Sequence, residues 1–176
     1  MCSIIDFFLI WWLRTGRYKW SRIRRRLCEH RYLDTPLPAV TSLEDIEACL
    51  TRVKWTMDGP LHLFDSISYP QVTWAKKKDD CDGFASLAAA LLKQLNPSYR
   101  PVLVTIMVRP IRDSHTICAF TSPEGGICLF DNDSLRLANC ENYADVIDII
   151  SKHAKRLVCS DVRNPATLDM IEFHQI

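Results

Sequence analysis

The chain has 176 residues, of which 48% are apolar and 24% are charged. This composition is typical of one globular domain with an ordinary core, and it excludes fibrous and intrinsically disordered chains. The formal net charge of +1 also excludes a protein that is strongly basic or acidic as a whole.

Charge is nevertheless unevenly distributed. Residues 1–31 carry eight Arg and Lys side chains against Asp6 and Glu29, a net charge of +6, whereas the remainder carries −5. The apolar stretch at residues 4–13 precedes these basic residues, although a signal peptide has its positive charges first. It is also too short to cross a bilayer as a helix. We therefore expect a cytoplasmic protein with two helices in this extension, at residues 3–13 and 17–30.

Two interpretations of the extension remain open. Trp11, Trp12, Tyr18 and Trp20 are interleaved with arginines, which is typical of segments that bind an acidic partner, a nucleic acid or, peripherally, a membrane surface. The alternative is a pair of amphipathic helices that pack on the domain and leave their arginines in solvent. A Pro-rich break follows, so we expect an extension at 1–35 and a domain at 36–176.

The eight cysteines form no Cys-x-x-Cys pair and show no Cys/His spacing typical of a zinc site. Most have apolar neighbours. We therefore predict mainly buried thiols in a reducing compartment. A disulfide framework is the alternative.

Periodicity and Pro or Gly breaks predict the remaining elements. Residues 57–78 contain Gly and Pro and show no long period, which predicts a loop. A helix begins at Cys81 and stops before Pro97. Further helices are predicted after a Thr41 or Ser42 cap and at 142–154, and strands at 100–108, 114–121, 127–131 and 156–159.

Cys81 lies in the first turn of its helix. A helix N-terminus carries unpaired N–H groups and the positive end of the dipole, and both favour a thiolate over a thiol. Asp79, Asp80 and Asp82 act in the opposite direction, because nearby carboxylates disfavour a further negative charge. An imidazolium or a bound cation close to the sulfur would favour the thiolate.

The predicted hairpin of residues 114–131 supplies an imidazole. If the tip of its turn is at Pro123, His115 faces Asp131 across the strands, and a register shifted by two places Asp133 there instead. Asp131 is preferred because it directly follows the apolar strand. Alternation puts His115 on the same face as Ile117 and Leu129, which we expect to face the Cys81 helix.

Cysteine, histidine and aspartate are the residues that a thiol nucleophile requires. His115 would accept the thiol proton and later protonate the leaving amine, while Asp131 would orient the imidazole. The Cys81 backbone N–H and a second donor, either Gln71 or Trp74, would stabilise the oxyanion.

These residues carry a resemblance to a known family. Asp79-Asp80-Cys81-Asp82-Gly83-Phe84-Ala85, His115-Thr116-Ile117-Cys118-Ala119 and Leu129-Phe130-Asp131-Asn132 are similar in order and spacing to the motifs of the bacterial transglutaminase-like cysteine proteinases, in the papain/transglutaminase superfamily. The resemblance covers about residues 65–140. It implies an α+β fold, in which a papain/transglutaminase-like core packs the nucleophile-bearing helix on an antiparallel sheet, with the basic helical extension added.

The resemblance also implies site residues. Cys81 would be the nucleophile, His115 the base and Asp131 the orienting acid, and no cofactor would be required. Asp80 and Asp82 match calcium ligands of characterised members, while helix capping is the other role open to them. The sequence departs from the family pattern at Asp79, where Gly is usual, and at Gly83, where an acidic residue is usual.

The sequence therefore predicts a cysteine hydrolase that cleaves a peptide or isopeptide bond in a protein or peptide substrate through an acyl-thioester. A transglutaminase or deamidase would use the same triad. The alternative from another class is a non-enzymatic binding or scaffold protein that engages an acidic or membrane partner through residues 1–31.

Overall fold

A computed structural model describes residues 3–57, 66–122 and 125–175. The structure is mixed, with helices packed on an antiparallel sheet. The six-stranded sheet has the order β6-β5-β4-β3-β7-β8, and every neighbouring pair in it is antiparallel. Its strands are β3 (Arg100–Arg109), β4 (His115–Thr121), β5 (Ile127–Asp131), β6 (Ser134–Cys140), β7 (Arg156–Arg163) and β8 (Met170–Gln175).

Helices cover both faces of this sheet. They are α1 (Ile4–Trp11), α2 (Arg17–Arg24), α3 (Leu43–Leu50), α4 (Pro70–Lys76), α5 (Cys81–Leu95) and α6 (Tyr143–Ser151). Two further two-residue strands, β1 (Lys54–Trp55) and β2 (Lys78–Asp79), pair in parallel. Among the described residues, no helix has the length and apolarity needed to cross a membrane.

The core has two layers because β3, β4 and β5 are buried on both faces. Leu103, Cys118 and Phe130 pack with α5 and with apolar residues of α1, whereas Ile117 and Leu129 pack with Val146 and Ile147 of α6. This arrangement explains why these strands read as continuous apolar runs. The prediction that Ile117 and Leu129 face the Cys81 helix was wrong, since both lie on the side of the sheet opposite to α5.

Residues 4–32 form one continuous helical segment, which we call the N-terminal helix. It consists of α1, a wide π turn at Trp12–Gly16, α2, a second π turn at Arg25–Glu29 and a 3₁₀ turn at His30–Tyr32. The prediction of two helices separated near residues 14–16 was wrong, because the wide turn continues the helix where a break was expected.

The wide turns keep one side of the N-terminal helix against the domain. Buried side chains recur in it at every fourth position: Leu9, Leu13, Arg17, Ser21, Arg25 and Glu29. In a regular helix of 3.6 residues per turn, this stripe would rotate about 40° at each step and leave the core. A π turn contains more residues and corrects the drift. The prediction of arginines in solvent was therefore wrong for Arg17 and Arg25.

Several elements differ from the sequence prediction. The predicted loop at 57–78 contains α4, which begins at Pro70, a favourable first helical residue. Residues 58–65 of that loop lie outside the described residues. The strands β6 and β8 were not predicted, and β7 continues to Arg163 instead of ending at Cys159.

Candidate active site

Cys81 is the first residue of α5, as predicted. The Asp80 side chain caps the helix by accepting a hydrogen bond from the Asp82 backbone N–H at 3.2 Å. Small residues behind Cys81, including Ala85 and Ala88, let α5 lie close to β4. The sequence thus fixes the thiol at a buried helix N-terminus, 7% exposed.

His115 and Asp131 are in direct contact. His115 begins β4, Asp131 ends β5, and the His115 Nε2 atom lies 2.7 Å from the Asp131 Oδ1 atom. The other carboxylate oxygen accepts from Arg136 at 2.8 Å. The hydrogen bond to His115, and then the charges of His115 and Arg136, hold the pKa of Asp131 below its ordinary value despite partial burial. The carboxylate therefore stays ionised beside the imidazole.

The predicted contact is present, but the register used to predict it was wrong. Ala119 pairs with Leu129 and Cys118 with Phe130, a shift of two from the predicted pairing. In this register Asp133 would stand opposite His115, yet β5 has already ended at Asp131. The His115 ring instead reaches diagonally to Asp131. Direct and diagonal neighbours both lie within reach of an imidazole.

Cys81 and His115 line one cavity, near the end of the central strands β3 and β4 where β4 begins. Its volume is about 20 Å³, and Leu9 and Trp12 of the N-terminal helix form part of its wall. This is room for about one water molecule. The N-terminal helix therefore covers the thiol and leaves no space for a peptide.

Arg17 is a site residue that the sequence analysis missed. Its guanidinium lines the same cavity and donates to Asp82 at 2.7 Å, to Thr116 at 3.3 Å and to Thr105 at 3.4 Å. Both partners of the Arg17–Asp82 ion pair are buried, at 2% and 1% exposure. Arg17 thus brings a positive charge to the acidic start of α5. The only signal in the sequence was its place in the stripe of every fourth residue.

The two predicted oxyanion donors lie elsewhere. Gln71 lines a different pocket, between α4 and α5, together with Arg25 and Ser86. The Trp74 ring contacts the cationic groups of Arg52 and Lys77. Neither side chain lines the cavity of Cys81.

Asp79, Asp80 and Asp82 are buried, and their carboxylate oxygens lie within 4.8 Å of one another. Calcium takes six to eight oxygen ligands. Here the Asp82 carboxylate is bound by the Arg17 guanidinium, and the Asp79 carboxylate accepts from the Thr73 hydroxyl at 2.5 Å. A guanidinium on a ligand repels a cation, so Asp80 and Asp82 do not fit calcium in this arrangement.

Asp79 and Gly83 are close neighbours in space at the start of α5. A Cβ atom added at Gly83 would coincide with the carboxyl group of Asp79. An acidic side chain at position 83 and one at position 79 would therefore compete for the same volume.

Two charged clusters hold the N-terminal helix over the cavity. Asp6 accepts from Arg109 at 2.9 Å and from Arg156 at 3.1 Å, and hydrogen bonds with Ser3 and Arg109 lower its pKa strongly. Tyr18 donates to Asp161 at 3.0 Å, and Arg163 donates to the same carboxylate at 2.7 Å. Burial raises the pKa of Asp161 to about 6.

Comparison with known proteins adds no family to this geometry. No protein-family model matches the chain, and no curated protein matches it. A functional interpretation therefore depends on the residues and their arrangement.

Proposed function

We propose that the protein is a cysteine hydrolase that cleaves a peptide or isopeptide bond through an acyl-thioester on Cys81. The observation that carries this proposal is the 2.7 Å contact of His115 with Asp131 at the cavity that Cys81 also lines. A papain/transglutaminase-like core is part of the proposal. It is supported by a cysteine at the start of a buried helix, packed on antiparallel strands that carry the histidine and the aspartate.

The proposed steps follow from which atoms are already engaged. The Nε2 atom of His115 contacts Asp131, so Nδ1 is the ring nitrogen that takes the Cys81 proton. The sulfur attacks the carbonyl carbon, and His115 then gives its proton to the departing amine. Water attacks the thioester with His115 as base, which releases the acid and restores the thiol. Asp131 stays ionised and stabilises the imidazolium.

Two features of the cavity offset the negative charge of the carboxylates near the sulfur. The N-terminus of α5 and the guanidinium of Arg17 both contribute positive potential. Arg17 also neutralises Asp82, the carboxylate next to Cys81 in the chain. The acidic residues around Cys81 therefore oppose a thiolate less than their number suggests.

Substrate access requires movement of the N-terminal helix, because Leu9 and Trp12 close the cavity. The experiment therefore compares the natural chain with a Trp12→Leu variant, in which a smaller side chain opens the wall. Both are mixed with p-nitrophenyl acetate, and mass spectrometry locates the acetyl group. We expect an acetyl-thioester on Cys81 that forms faster in the Trp12→Leu variant.

Two controls show whether acylation of Cys81 depends on the candidate site. Cys28 is exposed and does not line the cavity, so it reports ordinary thiol reactivity. Replacement of His115 by Ala should slow acylation of Cys81 by about 10² to 10⁴, as expected on losing a general base, whereas His174→Ala should have no effect. Acylation of Cys81 that is no faster than that of Cys28 in either chain would overturn the proposal.

The same protein can then be tested on peptides to identify the acceptor of the acyl group. A cut chain indicates hydrolysis, a crosslink indicates transglutamination, and conversion of Gln to Glu indicates deamidation. We expect cut chains that are absent with the Cys81→Ala variant. Crosslinked products alone would reassign the enzyme to the transglutaminases.

A further inference from the structure

The N-terminal helix has a second face, turned away from the domain, which we call the outer face. Large apolar side chains lie along it and are at least 41% exposed, with Ile4 at 89% and Leu27 at 70%. The principal ones are Ile4, Phe7, Phe8, Trp11, Ile23 and Leu27. Exposed apolar surface on this scale indicates an interaction site.

These side chains lie in two groups, one on α1 and one at Ile23 and Leu27, and the two π turns determine how the groups are oriented relative to each other. The turns hold the buried stripe against the domain from Leu9 to Glu29. The opposite side is therefore also kept in phase over the length of the helix. Without the turns, the apolar positions of α1 and α2 would point in different directions.

The charged residues of the outer face have one sign. Asp6 and Glu29, the two acidic residues between positions 3 and 32, are both buried and paired with arginines. Within that described range, the exposed charged side chains are all basic: Arg14, Lys19, Arg22, Arg26 and Arg31. Arg22 pairs with Asp169, outside the helix. The outer face thus combines apolar side chains with a positive charge.

We propose that the outer face docks in the plane of an anionic lipid surface. Apolar side chains of such a helix enter the boundary between headgroups and acyl chains, and the basic residues pair with anionic headgroups. Trp11 and Trp20, both exposed, suit the polar–apolar boundary.

Other occupants match this surface less well. A nucleic acid would use the basic residues and aromatic rings, but it offers nothing apolar for Ile4, Ile23 and Leu27. A second copy of the chain would bring two equally basic faces together, and their charges would repel. The lipid surface accounts for both the aliphatic and the basic residues.

The test is co-sedimentation of the full chain with phosphatidylcholine vesicles, with and without phosphatidylserine. We expect binding to the anionic vesicles that weakens as salt is raised, together with quenching of tryptophan fluorescence by brominated lipid. The Cys81→Ala variant should bind equally well, since docking does not depend on the proposed chemistry.

Substitutions on exposed positions separate docking from folding. Phe7→Ser with Leu27→Ser should weaken vesicle binding by about tenfold or more, since each removes several apolar groups from the lipid. Lys19→Glu with Arg26→Glu should have a similar effect through charge. Matched pairs elsewhere should change nothing: Leu137→Ser with Ile171→Ser on the sheet, and Lys54→Glu with Lys93→Glu.

Several results would overturn the proposal. These are no binding to either vesicle at low salt, equal binding to neutral and anionic vesicles, and equal losses from the matched pairs. Binding of an oligonucleotide without binding of vesicles would reassign the face to nucleic acid. A stable dimer that the Phe7→Ser and Leu27→Ser pair dissociates, with no vesicle binding, would reassign it to self-association.

Discussion

The start of α5 and the inner face of the N-terminal helix meet at one cavity, but they are built from opposite chemistry. The start of α5 concentrates three carboxylates around Cys81, whereas the helix brings Leu9, Trp12 and the guanidinium of Arg17. Arg17 and its partner Asp82 are 65 positions apart in the chain. The acidity of a local motif therefore does not give the electrostatics of the folded site, because the compensating charge comes from a distant segment.

The largest effect should come from breaking the link between the two regions. Arg17→Met leaves the Asp82 carboxylate buried without its cation, and we expect a loss of about 3–5 kcal/mol in the free energy of unfolding. Arg22→Met is the matched control on the same helix, because the Arg22–Asp169 pair is exposed. It should cost about 1 kcal/mol or less. Chemical denaturation measures both, and equal losses would contradict the account of Arg17.

The next largest loss of stability is expected from substitutions at the start of α5 alone. Gly83→Ala places a methyl group in the volume of the Asp79 carboxyl, so we expect a loss of about 1–3 kcal/mol from overpacking. Adding Asp79→Gly to Gly83→Asp should recover much of the stability that Gly83→Asp loses. The coupling energy from a double-mutant cycle measures this. Additive losses would show that the two positions do not share one space.

A pH dependence tests how the N-terminal helix is docked. Burial raises the pKa of Asp161, the partner of Tyr18, to about 6. A carboxyl whose pKa is higher in the folded chain keeps its proton longer there, so the free energy of unfolding should fall as pH rises from about 4 to about 6. Asp161→Asn should remove this fall, whereas Asp169→Asn, at an exposed position, should keep it. A natural chain whose stability does not fall over this range would contradict the assignment.

The smallest effect is expected at Asp131. Its lowered pKa means that its ionised form stabilises the fold above about pH 4, and that this contribution is lost as the carboxylate is protonated at lower pH. Asp131→Asn should therefore cost about 1 kcal/mol or less at pH 7 and nothing in strong acid. A cost that persists in strong acid would assign Asp131 a packing role.

The sequence predicted the elements whose signals are local. Cys81 at a helix start, the end of α5 before Pro97 and the central strands follow from capping and periodicity, and the His115–Asp131 contact follows from the pairing of two strands in a hairpin. The register used to predict this contact was wrong, because the turn was assumed to be centred on Pro123. The contact forms despite the shift of two residues, because the His115 side chain is long enough to reach Asp131 diagonally. Local patterns thus indicated the right partners more reliably than the exact pairing.

The position of the N-terminal helix over the cavity of Cys81 could not be predicted in the same way. Arg17 and Arg25 look like solvent-facing residues of a basic amphipathic segment, and their burial depends on partners in β3, β4 and the chain before α4. The stripe of every fourth residue was visible, but it fits a buried face only if the helix contains wide turns. Gln71 and Trp74 were chosen by proximity in sequence, and the fold of α4 directs them to other surfaces.

The proposed chemistry is tested most directly by the pH dependence of Cys81 alkylation with iodoacetamide, measured in the Trp12→Leu background with and without His115→Ala. We expect Cys81 to react at pH values where an ordinary thiol, with a pKa of about 8.5, is protonated, and we expect His115→Ala to abolish this reactivity at low pH. Superimposable profiles for the two proteins would contradict a thiol and an imidazole acting together.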